Sequence, residues 1–309
     1  MLFWGTPLFA LPSLRALGYE GHEVVGVVTQ PDKPKGRGRK LSPSPVKEVA
    51  LEEGIHLFTP ERPEGDSFME EVRALAPDIS VVVAYGHILK PEILDLPPDG
   101  SINVHASLLP ELRGAAPVNW AILKGMKTTG ITIMRMAEGM DAGPILFQTP
   151  EKIGPTETAT ELGTRLSEVG AEALIVALAL FEAGVREEVE QDHDAATFAP
   201  KVNRELARID WNYGAEELDC HLRGMDSAPG AWSTLQGESI KLFGPTPEPR
   251  FSHGASPGTI LEASPEAGLL VACGKGALRV GEAQPAGSRR MPVGAWFRGH
   301  PLSPGLGFV

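Results

Sequence analysis

Continuous apolar runs in the first part of the chain constrain its fold more than any other feature. Such runs occupy residues 2–4, 23–29 and 79–84, and segments with the apolar spacing of helices lie between them. Strands that are apolar on both faces are typical of a parallel sheet covered by helices on each side. Further strands are predicted between residues 129 and 148, so residues 1–186 are expected to form an α/β domain with a doubly wound, mainly parallel, Rossmann-like sheet.

The second part of the chain has a different pattern of apolar and polar residues. Residues 187–206 are polar with weak periodicity, so we interpret them as a linker. In residues 207–309 a predicted helix precedes short apolar runs separated by glycine and proline, and short strands at this spacing are typical of a small β-barrel. The runs lie at 231–234, 239–243, 259–262, 269–272 and 277–282. We therefore predict two domains joined by a linker.

Several function classes are disfavoured by motifs that the sequence lacks. The first turn reads Gly5-Thr6-Pro7 and not Gly-x-Gly-x-x-Gly, which argues against a nicotinamide or flavin enzyme. The two cysteines, Cys220 and Cys273, are far apart, and the eight histidines have no metal-binding spacing. We therefore expect neither a disulfide framework nor a metal. A monomer is a separate expectation, on which these motifs have no bearing.

Charge and hydropathy limit the partners of the protein. The formal net charge is −12, which argues against indiscriminate binding of nucleic acids but leaves room for a local basic patch. The longest apolar run, residues 173–181, is too short to span a bilayer. We therefore expect a cytoplasmic protein with no membrane partner.

A basic stretch between residues 30 and 45 differs from the rest of this acidic chain. Its prolines and glycines predict a loop. Closely spaced cations repel one another and add nothing to a folded core. Either they form a solvated surface loop or they bind an anion, for which a polyanion such as RNA is favoured. The cations are Lys33, Lys35, Arg37, Arg39 and Lys40.

An amide and an imidazole stand together near the end of another predicted strand. Asn103 and His105 fall on the same face of residues 101–105, because side chains two apart on a strand point the same way. The chain then turns at 107–110 and is expected to enter a helix near Pro117. Ligands bind at the carboxyl ends of strands in open α/β sheets, so this strand end is the predicted reaction centre.

These residue types suit acyl transfer to an amine. The Asn103 amide can donate to an oxygen that becomes negative, and His105 can accept a proton near neutral pH. Asp141, in a glycine-rich turn after the next strand, is the best candidate for a carboxylate that orients the imidazole or shares its proton. No Ser or Cys nucleophile motif accompanies them, so direct attack by a substrate amine is favoured. Spacing alone also allows all three to be structural residues of turns and strand ends.

The motif Asn103-Val-His105-Ala-Ser107-Leu-Leu-Pro110, with Arg113-Gly114 and Pro117 after it, resembles the signature of the 10-formyltetrahydrofolate-dependent formyltransferases. In that family a later aspartate completes the motif. Family members often carry Thr in place of Ala142 and Leu in place of His87. The resemblance covers nearly the whole chain and is closest to the members that act on a charged tRNA. The segments that carry it are Gly5-Thr6-Pro7, Thr29-Gln30-Pro31-Asp32, Gly36-Arg37-Gly38, Val83-Ala84-Tyr85-Gly86, Met140-Asp141-Ala142-Gly143-Pro144 and Ala207-Arg208-Ile209-Asp210-Trp211.

The resemblance implies an activity and a set of site residues. The activity would be formyl transfer from the co-substrate 10-formyltetrahydrofolate to the α-amino group of methionyl-initiator tRNA, for translation initiation. The implied catalytic trio is Asn103, His105 and Asp141. The loop against the reduced folate would consist of Ser107, Leu108, Leu109 and Pro110. The five cations of the basic stretch would bind the tRNA acceptor end, and the second domain would be an OB-like barrel that also binds tRNA.

Three rival functions have to be separated from this one. A formyltransferase acting on a small amine, such as a ribotide or an amino sugar, would share the trio but need neither the basic stretch nor the second domain. A non-catalytic RNA-binding module would not bind a reduced folate. A deformylase that uses water would release formate instead of a formylated amine.

Overall fold

A computed structural model describes residues 1–35, 38, 40–185, 187–266 and 268–309. The chain divides into two units, each with its own core. Unit 1 comprises Met1–Pro117, Thr128–Lys152 and Gly163–Ala199, and unit 2 comprises Val118–Lys127, Ile153–Leu162 and Pro200–Val309. None of the described helices is long and apolar enough to cross a membrane.

Helices separate most of the strands in the first half of the chain. They begin with β1 (Leu2–Gly5), α1 (Leu11–Tyr19), β2 (Gly26–Val28), β3 (Lys33–Lys35), β4 (Lys40–Ser42), α2 (Pro45–Glu52), β5 (Leu57–Phe58), α3 (Asp66–Ala74), β6 (Ser80–Val83) and α4 (Pro91–Leu94). They continue with β7 (Ser101–His105), α5 (Pro117–Leu123), β8 (Thr128–Arg135), β9 (Ile145–Lys152) and α6 (Ala159–Glu182). The remaining elements are α7 (Ala215–Met225), β10 (Trp232–Leu235), β11 (Glu238–Glu248), β12 (Ile260–Ser264), β13 (Gly268–Ala272), β14 (Ala277–Pro285), β15 (Met291–Pro292) and α8 (Val293–Gly299).

The main sheet of unit 1 has the strand order β5-β2-β1-β6-β7-β8-β9. The strands from β5 to β7 in this order run parallel. At one edge β8 pairs antiparallel with β7, and β9 pairs antiparallel with β8. The chain builds outward from β1 through β2 and β5, and then returns to the other side of β1 with β6 and β7. This order confirms the predicted doubly wound, mainly parallel sheet.

Burial on both faces explains the continuous apolar sequences of the central strands. Every residue of β1 and β6 is buried. The polar exception, Ser80, accepts a hydrogen bond from the Trp4 indole at 3.2 Å, so its hydroxyl is satisfied inside the core. Trp4 packs in one apolar cluster with Met69 and Val72 of α3. The helix thereby covers the sheet and leaves the strand ends free to carry polar groups.

The basic stretch is not the loop that its prolines and glycines predict. β3 and β4 pair as an antiparallel hairpin, with Lys33 opposite Ser42 and Lys35 opposite Lys40. Proline lacks a backbone donor and is tolerated on strands with a free edge. Pro34 lies within β3, and an isolated two-stranded hairpin has such an edge on each strand. The proline content therefore excluded a central strand but did not exclude this hairpin.

Unit 2 contains an antiparallel sheet in the order β10-β11-β14-β13-β12, with β15 paired to β14. The last residues of the chain join its two edge strands. Val309 exchanges backbone hydrogen bonds with Thr234 of β10 at 2.8 and 3.0 Å, and Ile260 of β12 donates to the Leu306 carbonyl at 2.7 Å. The predicted apolar runs coincide with β10 to β14. Because one segment pairs with both edges, the small barrel predicted for this region is confirmed.

Candidate active site

The carboxyl ends of β1 and β6 lie side by side where the strand order reverses. Just beyond them, the Thr6 hydroxyl donates to the Tyr85 carbonyl at 3.0 Å. β7 is the next strand in the sheet and ends at His105. Open α/β sheets bind ligands in the crevice at such a reversal. The fold therefore places the predicted reaction centre at the binding edge of the sheet.

Asn103 and His105 lie on the same face of β7, as the alternation of a strand requires. Asn103 is half-buried, and its side chain makes no hydrogen bond within the described part of the chain. His105 is 5% exposed. The amide is therefore available to a ligand, whereas the imidazole is held by the protein.

One hydrogen bond fixes which ring nitrogen of His105 carries a proton. Its Nε2 lies 3.0 Å from the Leu112 carbonyl oxygen. A carbonyl only accepts, so Nε2 is the protonated nitrogen and the neutral ring has its lone pair on Nδ1. Leu112 has a φ of 59°, a left-handed conformation that is unfavourable for a residue with a branched side chain. The backbone that orients His105 is therefore held in place by its surroundings.

Asp141 faces the free nitrogen of His105. Its Oδ2 lies 3.6 Å from His105 Nδ1 and accepts a hydrogen bond from the Gly114 amide at 2.8 Å. The first distance is longer than a hydrogen bond but is short enough for an ion pair if the imidazole is protonated. The Asp141 side chain is 17% exposed, and its backbone is left-handed with a φ of 49°. The structure therefore brings the imidazole and the carboxylate together in a geometry that can share one proton.

Residues of the predicted linker complete the surroundings of Asp141. Gln191 is 5% exposed and donates from Nε2 to the carbonyl oxygens of Asp141, at 2.9 Å, and Gly143, at 2.7 Å. Arg113 is 6% exposed and donates to Gln191 Oε1 from Nε at 3.1 Å and from Nη2 at 2.7 Å. Sequence reasoning missed Gln191, because it lies in a polar segment of weak periodicity. The Arg113-Gly114 pair of the motif contains the arginine that contacts Gln191, but it does not indicate Gln191 itself.

The loop 107–110 is held from behind by β8 and β9. Thr132 donates its hydroxyl to the Ser107 carbonyl at 2.6 Å and accepts from the Leu109 amide at 3.1 Å. Gln148 donates to the Leu109 carbonyl and to the Thr132 hydroxyl, each at 2.9 Å. The side chains of Ser107 and Leu109 are buried, and the other two side chains of the loop are partly exposed. The loop is therefore a fixed surface at the end of β7.

Of the predicted tRNA-binding cations, Lys33 and Lys40 and the backbone of Lys35 lie in β3 and β4. Lys33 donates to Gln30 Oε1, and Gln30 Nε2 donates to the Tyr85 carbonyl at 2.8 Å. Lys40 is exposed. The base of the hairpin is therefore tied to the strand end that borders the crevice. Outside the described residues lie Arg37, Arg39 and the side chain of Lys35.

A buried tyrosine follows β6 at the same edge of the sheet. Tyr85 is 2% exposed and packs edge-on against Trp4, with 5.3 Å between ring centroids. Its hydroxyl has no hydrogen-bond partner within the described part of the chain. Burial raises the pKa of this hydroxyl to about 12. The phenol is therefore neutral at physiological pH and unpaired in the core.

Replacing Tyr85 by phenylalanine is expected to leave stability near neutral pH unchanged or slightly raised, because a buried unpaired hydroxyl costs about 1–3 kcal/mol. The unfolded chain loses this proton near pH 10, whereas the folded chain keeps it up to about 12. Wild-type stability should therefore fall as the pH rises above 10, and this part of the loss should be absent from Tyr85→Phe. Urea unfolding of both proteins, at neutral pH and at about pH 11, makes the comparison. A variant clearly less stable than wild type at neutral pH would show that the hydroxyl has a partner.

The strand end and the turn together offer an amide donor, a ring nitrogen with a lone pair and a carboxylate. Such a set can stabilise an oxygen that becomes negative and can accept a proton from an attacking nucleophile. In the parts of the chain that the structure describes, no group of three or more His, Cys, Asp or Glu side chains is arranged to hold a metal ion. The metal-free site stays a prediction.

Comparison with known proteins identifies the class and then the family. Residues 1–178 match the family model for formyl transferase, and residues 201–301 match that for the formyl transferase C-terminal domain. The chain is therefore a formyl transferase by family. The chain is 44% identical to the methionyl-tRNA formyltransferase of Desulforamulus reducens, over 100% of this chain and 98% of the other. It is 46% identical to that of Desulfotalea psychrophila, over 97% and 92%. The chain therefore belongs to the methionyl-tRNA formyltransferase family, which confirms the resemblance found in the sequence.

Solved structures of more distant proteins share the fold. The N-formyltransferase of Helicobacter canadensis, in complex with folinic acid and dTDP-3-aminofucose, has a TM-score of 0.67 at 17% identity, over 92% of this chain and 100% of the other. HypX of Aquifex aeolicus, in complex with tetrahydrofolic acid, has a TM-score of 0.60 at 20% identity, over 81% and 43%. At these identities the likeness concerns the fold alone.

Proposed function

We propose that this chain transfers the formyl group of 10-formyltetrahydrofolate to the α-amino group of methionine esterified to initiator tRNA, for translation initiation. The observation that carries the proposal is the distance of 3.6 Å between His105 Nδ1 and Asp141 Oδ2. His105 lies on the same strand as Asn103, whose amide has no hydrogen-bond partner among the described residues. Membership of the methionyl-tRNA formyltransferase family supports the choice of both substrates.

Asn103 stabilises the charge that develops as the amine attacks. The reduced folate supplies an activated formyl group. As the amine nitrogen forms its bond to the formyl carbon, an electron pair moves onto the formyl oxygen. The Asn103 amide donates a hydrogen bond to that oxygen, and its half-buried position strengthens the bond relative to one in water.

His105 and Asp141 manage the proton that the amine releases. His105 accepts it on Nδ1, because Nε2 is already protonated and bound to the Leu112 carbonyl. The Asp141 carboxylate, 3.6 Å from Nδ1, then stabilises the imidazolium. When the bond from the formyl carbon to the folate nitrogen breaks, the same proton passes to that nitrogen. The pair returns to its starting state, so no external acid or base is consumed.

The loop 107–110 forms the proposed wall against the reduced folate. Thr132 and Gln148 fix its backbone, so the wall exists before the ligand binds. The loop follows β7 directly at the binding edge of the sheet and combines apolar side chains with backbone polar groups. This combination fits a flat, partly polar ligand such as a reduced folate.

Two parts of the chain are proposed to bind tRNA. The first is the basic stretch with the cations at positions 33, 35, 37, 39 and 40, and the second is the OB-like domain predicted at 207–309. A protein with a net charge of −12 needs such local basic surface to attract RNA. The small-amine alternative is not favoured, because relatives at 44% and 46% identity are named methionyl-tRNA formyltransferases. A monomer in the cytoplasm stays a prediction.

Neutralising the hairpin tests the tRNA assignment. Changing Arg37, Arg39 and Lys40 to Gln is expected to raise the KM for methionyl-tRNA and to reduce the slope of log kcat/KM against log salt by about one for each phosphate that the variant no longer neutralises. Lys33 is left in place because it contacts Gln30. The matched control removes the same charge from exposed positions in helices and loops of unit 1, namely Arg15, Arg62 and Arg73. Unchanged activity and salt dependence in the hairpin variant, or an equal change in both variants, would remove the main support for tRNA binding by the hairpin.

A further inference from the structure

The segment 189–199, which we name the strap, contacts both members of the His105–Asp141 pair through other groups. The strap belongs to unit 1, and its two ends pair with other segments of that unit. Val189 exchanges backbone hydrogen bonds with Ile145 at 2.8 and 2.9 Å, and Ala199 donates to the Arg113 carbonyl at 2.8 Å. A linker that only connects two domains needs no such pairing. Two of its side chains make hydrogen bonds to the backbone around the site, those of Gln191 and Thr197.

Gln191 determines where the Asp141 turn stands. Its amide nitrogen donates to the Asp141 carbonyl and to the Gly143 carbonyl, at 2.9 and 2.7 Å. These two bonds fix the backbone on either side of Ala142, and so they hold Asp141 in its left-handed conformation. Since the carboxylate meets His105 Nδ1 at 3.6 Å, a small shift of this turn changes the geometry in which the proton is shared.

Arg113 determines which way the Gln191 amide points. Guanidinium nitrogens only donate, so Gln191 must present Oε1 to Arg113 and its NH2 group to the two carbonyls. Arg113 Nη2 also lies 3.0 Å from His193 Nδ1, which must therefore accept. Both Arg113 and Gln191 are at least nine-tenths buried, so neither has water as an easy alternative partner.

Thr197 acts on the other member of the pair. Its hydroxyl accepts a hydrogen bond from the Leu112 amide at 2.9 Å, and the Leu112 carbonyl accepts one from His105 Nε2–H at 3.0 Å. Leu112 is left-handed, so its amide and carbonyl need fixed partners to keep this orientation. Gly114, next to Arg113, comes so close to the strap that a Cβ there would stand 2.8 Å from the Ala199 carbonyl oxygen. The strap and the turn after β7 are therefore fitted to each other.

We propose that Gln191 and Thr197 are positioning residues of the formyl-transfer site, Gln191 for Asp141 and Thr197 for His105. This inference rests on the proposed function of that pair. It assigns the strap to the catalytic machinery and not to the connection between domains. Neither side chain touches the reacting atoms, so both act on turnover and not on substrate affinity.

Gln191→Glu is the sharpest test, because it keeps the shape and the acceptor for Arg113 but places a second acceptor against the two carbonyls. We expect kcat to fall about tenfold or more, the expected scale for a misplaced catalytic group, with both KM values within about twofold of wild type. The pH profile of kcat should change as well, since the proton-sharing geometry changes. The matched control is Glu190→Gln, the reverse exchange at the exposed neighbouring position, which should behave as wild type.

Two substitutions of Thr197 separate the effect of its hydrogen bond from the effect of its packing. Thr197→Val keeps the shape and removes the hydroxyl that Leu112 needs, so kcat should fall several-fold. Thr197→Ser keeps the hydroxyl, so kcat should stay close to wild type. Equal losses in the two variants would show that packing and not the hydrogen bond matters, and this would overturn the role of Thr197. Melting temperatures of all variants show whether a loss of activity follows a loss of folding.

The failure of this inference can be told apart from failure of the proposed function. If Gln191→Glu turns over at the wild-type rate while Asp141→Asn is inactive, the positioning role is wrong and the catalytic pair stands. If Asp141→Asn itself turns over normally, the pair is wrong and with it the basis for the strap. A loss of kcat in Gln191→Glu that is explained by a lower melting temperature, with an unchanged pH profile, also overturns the positioning role.

Discussion

Asn103→Ala is expected to lower kcat/KM for formyl transfer by about a hundredfold or more, the range found for loss of one oxyanion donor. The Asn103 amide is half-buried on β7, and no described residue hydrogen-bonds to it. Its donor is therefore free for a ligand and is needed most when charge develops on the formyl oxygen. The loss should appear mainly in kcat, because the neutral formyl group gains less from the donor than the transition state does.

Asn103→Asp separates the donor from the shape of the side chain. The carboxylate has nearly the same volume as the amide but only accepts hydrogen bonds when ionised, so its loss should equal or exceed that of the alanine variant. Steady-state kinetics with varied folate and varied tRNA give kcat and both KM values. A melting temperature near that of wild type shows that β7 still forms. Near-normal turnover in either variant contradicts the proposed role of Asn103.

Asp141→Asn is expected to lower kcat by about a hundredfold to a thousandfold, within the range for loss of general acid–base catalysis. An asparagine can still accept the hydrogen bond from the Gly114 amide, so the turn should keep its place. It has no negative charge to stabilise His105 after proton uptake. The proton would therefore stay on the attacking amine, and the bond to the formyl carbon would fail to form productively.

Binding measurements show whether the loss of activity in Asp141→Asn comes from proton handling or from substrate binding. Calorimetric titration with a reduced folate should give a Kd for Asp141→Asn within about threefold of wild type, which corresponds to well under 1 kcal/mol. Asp194→Asn makes the same exchange at an exposed position in the strap and serves as the charge-matched control. A loss confined to KM, with kcat unchanged, would assign Asp141 to substrate binding instead of proton handling.

Much of the fold could be predicted because buried strands have apolar residues at the buried positions of the sequence. β1 and β6 are buried on both faces, and their residues are continuously apolar apart from Ser80. In unit 2, glycine and proline separate short apolar runs, and these runs are β10 to β14. The common face of Asn103 and His105 follows from the alternation of a strand alone. Periodic burial and strand geometry are local properties, and a single sequence reports them well.

The full surroundings of the candidate site could not be predicted, because they depend on hydrogen bonds between distant segments. The bond from Gln191 to the Asp141 carbonyl joins residues 50 positions apart, and those from Arg113 to Gln191 join residues 78 positions apart. A polar residue that pairs with backbone carbonyls leaves no apolar periodicity. For that reason the sequence alone predicts a linker where the strap lies. The pairing of Val309 with β10 was missed on similar grounds, since a few terminal residues carry no repeating pattern.

A direct assay shows whether this protein formylates the amino group of methionine on a charged tRNA. The protein is incubated with 10-formyltetrahydrofolate and methionyl-initiator tRNA, with uncharged tRNA and free methionine as parallel acceptors, and N-formylmethionine and formate are both quantified. We expect N-formylmethionyl-tRNA in proportion to the folate consumed, with neither product from the two control acceptors. Free formate without a formylated amine, or equally fast formylation of free methionine, would contradict it.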